Sequence, residues 1–285
     1  MFKHALVRLP GKSMPYGLNR ANDPTSRDWA GPGSSNSQAG PEQPAPSPRQ
    51  PSPEGPDYEK ALLQHRHYVK ALATCAVQVV CLEALEAFPD SCFIEDVAVL
   101  AADCAVVTRP GAPSRQGEPQ HVLEAIKRFY EPEQICFIEP PGFVDGGDVL
   151  MVGQHFYVGL SGRTNPEGCQ QLISHLQRFG YSGEAVPVSR GLHLKTRLSW
   201  LQDNLLLLCP DLASLETFRH FDKLLVPPAE TPAANCLRVN DRVLVPDGYP
   251  QTRETLEQAG CRTLAVDISE YEKLDGGLSC LSLRF

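Results

Sequence analysis

The sequence predicts an α/β fold assembled from small units of strand and helix. Three observations carry this. Runs of strand character alternate with helical ones along the chain. Strand runs outnumber helical ones, so hairpins fall between the helical crossovers. Apart from one aberrant segment, about 250 residues remain, which divide loosely into five units of roughly ββαβ type with no strong internal repeat.

Phe2 to Leu9 reads as a first strand stopped by Pro10-Gly11. Residues 21–56 break the pattern: Pro, Gly and Ser make up about half of them. Such a composition buries too little apolar surface to offset its ordering entropy, so a disordered insertion in a surface loop is expected. A proline-rich ligand for a partner domain is a second reading of the same stretch. Asp57 then caps a helix to about Cys75, with Ala61, Leu62, His65, Tyr68, Val69 and Leu72 on its apolar side. Strands are expected at Val77–Leu82, Val97–Ala101, Cys104–Thr108 and Ile135–Ile138, with a helix over His121–Tyr130. Residues 142–153 read as a loop before a strand at His155–Gly159. A helix starts at Pro166, a favourable first-turn residue. Leu215–Phe221 reads as a short helix, and Asn240-Asp241 as a hairpin turn. The last helix covers Thr252–Ala259, and Leu281–Phe285 alternates as a half-buried strand does.

Composition narrows the function. A net charge of -8 argues against nucleic acid as the main partner and weakly suits a cationic substrate. No apolar run approaches the ~18 residues that span a bilayer. The first residues carry charges within their apolar run and no small-residue cleavage site, so no signal peptide is expected. None of the ten cysteines forms a C-x-x-C pair. All but Cys280 read as reduced core residues of a cytoplasmic protein.

Four loop motifs place charges beside strand ends or glycine pairs. They are Asp90 to Asp96, Arg109-Pro110-Gly111, Asp145-Gly146-Gly147-Asp148 and Arg163-Thr164-Asn165. Each alone reads equally as a solvated turn. Converged, their acids would match the planar N–H fork of a guanidinium, and their arginines a carboxylate. Together they describe a pocket for an arginine-like amino acid. His193, flanked by leucines, alone fits a structural role; with a cysteine and an acid in reach it is a general acid/base of the right type. Cys280 follows the pair Gly276-Gly277, which lets the backbone bend. Locally it reads as a buried cysteine, or as a nucleophile if a base and an acid face it.

Phe93-Ile94-Glu95-Asp96, Thr108-Arg109-Pro110-Gly111, Asp145-Gly146-Gly147-Asp148, Gly191-Leu192-His193-Leu194-Lys195 and Asp275-Gly276-Gly277-Leu278-Ser279-Cys280 occur in that order. Together they closely resemble the dimethylarginine dimethylaminohydrolases of bacterial type, within the guanidino-modifying or pentein superfamily. The resemblance covers nearly the whole chain except about 21–56. It implies a five-bladed α/β propeller of pseudo-fivefold ββαβ modules, a single catalytic domain over 1–285. It implies Cys280 as nucleophile, His193 as general acid/base and Asp145 as the carboxylate that orients the guanidinium. Asp96, with Glu95 beside it, and Asp90 would bind substrate, as would Arg109 and Arg163 around its amino-acid end. Leu18 matches a residue of a mobile lid loop, which places the insertion on the lid, and Leu274 a backbone contact beside the nucleophile. The implied reaction releases citrulline and an alkylamine from a methylated arginine, with no metal or organic cofactor. The implied partner is that small molecule, neither nucleic acid nor membrane, and a homodimer is possible. Related activities, arginine deimination and amidino transfer, belong to the same superfamily, although deiminases carry a helical domain for which this chain has no room. A silent binder of arginine derivatives is the alternative outside catalysis.

Overall fold

The computed structural model describes residues 1–19, 22–23 and 55–285; the rest of the expected insertion lies outside the described residues. Five three-stranded sheets repeat one pattern, an antiparallel hairpin followed by a crossover to a parallel third strand. In the first sheet β1 (His4–Arg8) lies parallel to β2 (Gln78–Leu82) across helix α1 (Tyr58–Thr74). The second joins β3 (Ala98–Leu100), β4 (Ala105–Val107) and β5 (Ile135–Phe137), with α2 (Gln120–Ile126) as crossover. The third joins β6 (Val149–Val152), β7 (His155–Leu160) and β8 (Ser182–Pro187) through α3 (Pro166–Gln177). The fourth holds β9 (Leu198–Gln202), β10 (Leu205–Leu208) and β11 (Asp222–Leu225). The fifth holds β12 (Leu237–Val239), β13 (Arg242–Pro246) and β14 (Thr263–Val266), crossed by α4 (Pro250–Gln258). Finally β15 (Leu283–Arg284) returns antiparallel to β1, Leu283 opposite Leu6, and completes the first sheet. The result is a five-bladed α/β propeller, as the motifs imply.

Local chemistry explains the helix starts. The Asp57 carboxylate accepts from the Lys60 N–H at 2.9 Å, satisfying one of the orphan donors of α1. Asn165 does the same for α3 through the Gly168 N–H, with Pro166 next. Ala61, Gln64, His65, Tyr68 and Leu72 form the buried stripe of α1. Tyr68 carries that stripe to the end of the chain: its hydroxyl donates to the Leu278 carbonyl at 2.9 Å and meets Ser282 Oγ at 2.6 Å.

The core is divided among the blade interfaces. One cluster joins the first and fifth sheets through Val7, Leu72, Leu244 and Val266. Others join the first to the second, the second to the third, the third to the fourth and the fourth to the fifth. Each blade is thus apolar on both faces, and no blade can bury its apolar surface alone.

Three expectations need correction. Val149–Val152, read as loop, is strand β6, paired to β7 across Gly153 at φ 61°; its flanking glycines mask a four-residue apolar run. Leu215–Phe221 is reduced to a 3-10 turn over Glu216–Phe218, because only Phe218 is buried there and one anchor does not support a helix. Cys81, read as core, is exposed on the edge strand β2, while the other nine cysteines are buried and all ten are free. The hairpin turn falls where expected, with Asn240 at φ 55°. No helix among the described residues is long and apolar enough to cross a membrane.

Candidate active site

The strands β3, β6, β9, β12 and β15 are the inner edges of the five sheets, and all of them line one central cavity. Each is entered through a 3-10 turn: Ile94–Val97, Gly146–Asp148, Leu194–Thr196, Pro228–Ala234 and Ser279–Leu281. Successive turns pack on one another, and Asn235 joins the fourth to the fifth. Four of the five ordered motifs, all but Thr108-Arg109-Pro110-Gly111, are therefore equivalent positions in a ring at one end of the propeller.

Glycines let these turns close up. A Cβ on Gly147 would lie 2.6 Å from His193 Nδ1, and one on Gly146 would overlap the Glu95 carbonyl. Gly276 and Gly277 face the Phe93 ring and the Asn235 side chain with no room for a methyl. Close approach, rather than an unusual dihedral, requires that pair; the left-handed residue is Asp275, at φ 57°.

Cys280 is buried within its turn, and its Sγ accepts from the Gly277 N–H at 3.4 Å. Burial, with Glu95 and Asp96 nearby, pushes its thiol up to about 12, against the opposing pull of the Gly277 amide and Lys195. The preceding Ser279 is fixed from three sides. Its N–H donates to Asn235 Oδ1 at 2.9 Å, its hydroxyl donates to Glu95 Oε2 at 2.8 Å, and Asn235 Nδ2 donates to that hydroxyl at 3.2 Å.

His193 Nε2 donates to Asp145 Oδ2 at 2.9 Å and lies 4.0 Å from Asp96 Oδ1. Burial opposes the imidazolium, but Asp96, Asp145 and Asp148 outweigh it and raise His193 to about 9. Its Nδ1 is buried without a hydrogen-bond partner among the described residues. Asp145 is held below the usual carboxylate range, burial notwithstanding, by His193 and Arg163. Burial lifts Asp148 to about 6; it accepts from Ser161, Thr164 and the Leu194 N–H and so ties the third blade to the fourth.

Two arginines are seated among the acids. Arg163 Nη1 donates to Asp145 Oδ2 at 2.9 Å, and its Nη2 to Asp23 Oδ2 at 2.5 Å. Arg115 Nη1 donates to Asp96 Oδ2 at 2.5 Å, while Glu118 takes its Nε and Nη2. These buried carboxylates thus already bracket guanidinium groups, which is the chemistry their pairing suits. Asp96, Asp145 and His193 also offer one ligand atom each within 4.8 Å of one another, a geometry open to a metal ion. Arg115 and Arg163 compete for the same carboxylates.

The structure brings Asp96, Asp145, Arg163 and His193 into one cluster, with Cys280 on the adjoining turn. Glu95 lies in the ring, but Lys195, Arg284 and Ser279 take both its oxygens. Asp90 accepts from the Leu18 N–H at 2.7 Å, and Gly17 nestles between Asp90 and Leu274, so these three form one neighbourhood. Arg109 donates instead to the Gly142 carbonyl at 3.4 Å and to Gln116 Oε1 at 3.2 Å. Arg115 and Asn235 escaped the sequence reading. Arg115 lies six residues past Arg109 in the same loop, where charge alone does not choose between them. Asn235 could be found only by noticing that the fifth blade lacked a motif at the position occupied in the other four.

Comparison with known proteins finds relatives across the whole chain. The family model described as eukaryotic N,N dimethylarginine dimethylhydrolase matches residues 53–221. The N(G),N(G)-dimethylarginine dimethylaminohydrolase of Pseudomonas aeruginosa is 44% identical over the whole of both chains. The protein of that name from Streptomyces coelicolor is 38% identical over 80% of this chain and 87% of its own. The Pseudomonas enzyme, solved as a cysteine-to-serine mutant with citrulline, superposes with a TM-score of 0.86 at 43% identity, covering both chains fully. The N-terminal domain of the cyanobacterial arginine dihydrolase ArgZ shares the fold at a TM-score of 0.74 and 18% identity, over 99% of this chain and 97% of that one.

Proposed function

This chain belongs to the dimethylarginine dimethylaminohydrolase family, and from that membership and the geometry of the ring we propose that it hydrolyses N-ω-methylated arginine to citrulline and an alkylamine. The observation that carries the reading is the buried His193–Asp145 pair, which reaches Asp96 on the turn that packs against the one holding Cys280. Residues 1–285 act as one propeller domain, with 21–56 inserted after Leu18.

The chemistry follows from the residues. At neutral pH the free protein holds Cys280 as a thiol and His193 as an imidazolium. A substrate guanidinium brings a positive charge to the sulfur and favours the thiolate, the thiol proton leaving to solvent. The thiolate attacks the guanidinium carbon. His193 gives its proton to the departing amine, and a covalent thiouronium remains. His193, now neutral, takes a proton from the water that attacks the same carbon. Collapse of the adduct, its hydroxyl proton passing to solvent, releases citrulline and restores the Cys280 thiolate. Asp145 holds the imidazole by its Nε2–H throughout, and the carboxylates keep the cation in place.

The test is citrulline formation from arginine, monomethylarginine and asymmetric dimethylarginine. Citrulline should form fastest from a methylated substrate, and Cys280→Ser should stop it. Citrulline at the wild-type rate from that variant would sink the reading; faster ammonia release from arginine would make the chain a deiminase.

A further inference from the structure

Beyond the ring of turns, the central cavity encloses about 550 Å³, within the range of small-molecule sites. Its walls are apolar: Val99, Leu150, Met151 and Trp200 come from three different blades. Cys280, His193 and Asp145 do not line it. Its polar end is the back of the ring. There Lys195 Nζ and Arg284 Nη2 both donate to Glu95 Oε1, at 2.6 and 2.7 Å, while Ser279 occupies Oε2. Two cations share one carboxylate, so positive charge is left over while Cys280 is a thiol. A third cation, Arg238, lies 5.5 Å over the Trp200 ring and donates to neutral acceptors, the Leu201 carbonyl and Gln202. Asp241, also in the lining, pairs with Arg262.

Apolar walls around a cationic end select a ligand with a flat apolar body and a single negative group. We propose that the central cavity is a second binding site, for a small organic carboxylate whose charged end meets Lys195 and Arg284. Its effect on turnover rests on the reading of Cys280 as nucleophile; its binding does not. A carboxylate at Lys195 and Arg284 competes with Glu95 for them and withdraws cationic support from the thiolate on the far side of the ring. Bound ligand therefore lowers kcat without competing with substrate.

Calorimetry on the full chain tests the site, with 2-naphthoate as probe and 2-naphthamide as its neutral counterpart. The expected result is one naphthoate per chain, the amide at least about tenfold weaker, since it lacks charge-assisted bonds. Saturating citrulline should not displace it. Met151→Trp, which fills the cavity, should abolish binding, and Arg238→Gln should weaken it severalfold. No heat at millimolar naphthoate, equal binding of the amide, displacement by citrulline, or unchanged binding in both variants would overturn the site. Naphthoate that binds but leaves kcat unchanged would overturn the coupling, with dimethylarginine hydrolysis measured in the same samples.

Discussion

Cys236 and Cys280 lie in adjacent blades on the approach to an inner strand, Cys280 within the entering turn and Cys236 just after it, and both are buried. Burial raises both thiols, but their surroundings differ. The Cys236 sulfur donates to the Ala233 carbonyl at 3.1 Å and belongs to the apolar core between the fourth and fifth blades. The Cys280 sulfur accepts a backbone N–H and sits within electrostatic reach of Glu95, Asp96 and Lys195. Burial alone therefore does not mark a nucleophile. The charged groups that can answer a change in the sulfur's own charge do.

The largest expected effect separates the two thiols outright. Cys280→Ser should lower kcat by at least about 10³-fold. Cys236→Ala should leave kcat within about twofold and cost roughly 1 kcal/mol of stability. Steady-state rates and denaturant melts of both variants check this, and comparable loss of turnover from the two would erase the distinction.

A second prediction concerns pH. The reactive form pairs a Cys280 thiolate with a His193 imidazolium. In the free chain its share grows about tenfold per pH unit while His193 stays protonated, then levels once His193 titrates at about 9. It stays level until Cys280 itself titrates at about 12. So kcat/KM should climb with pH and bend at about 9. Asp145→Asn removes the anion bonded to Nε2, lowers the imidazole pKa and moves the bend down, with kcat reduced by about 10²-fold. A wild-type bend at the ordinary histidine value of about 6.5 would contradict the buried pair.

The smallest effect tests what holds the nucleophile's turn. Asn235→Ala removes two hydrogen bonds to Ser279, and a loss of about 1.4 kcal/mol in the transition state would lower kcat about tenfold. KM should change little, because Asn235 bonds to the turn and not to the cation cluster. A shift confined to KM would place Asn235 in substrate binding instead.

Much of the architecture was legible because local signals were strong. Asp57 and Asn165 announce their helices, and Asn240-Asp241 its hairpin. The blade count followed from the order of strands and crossovers, although no sequence repeat marks it. The fourth blade was obscured because its crossover consists of 3-10 turns. In the site, motifs carrying two functional residue types within four positions could be read locally. Asn235 could not, since its meaning depends on a turn 44 residues further on. Nor could the engagement of Glu95, whose cationic partners are 100 and 189 residues away.

The pairing of β15 with β1 joins residues from opposite ends of the numbering, directly after the turn that carries Cys280. Such a contact is among the most distant in sequence that the molecule makes, and distant pairings tend to form late in folding. The other blades can acquire their strands and helices from nearer neighbours, but the Cys280 turn has its anchor only once the circle is joined. During refolding, recovery of turnover should therefore trail recovery of secondary structure, so that activity reports the last seam of the ring.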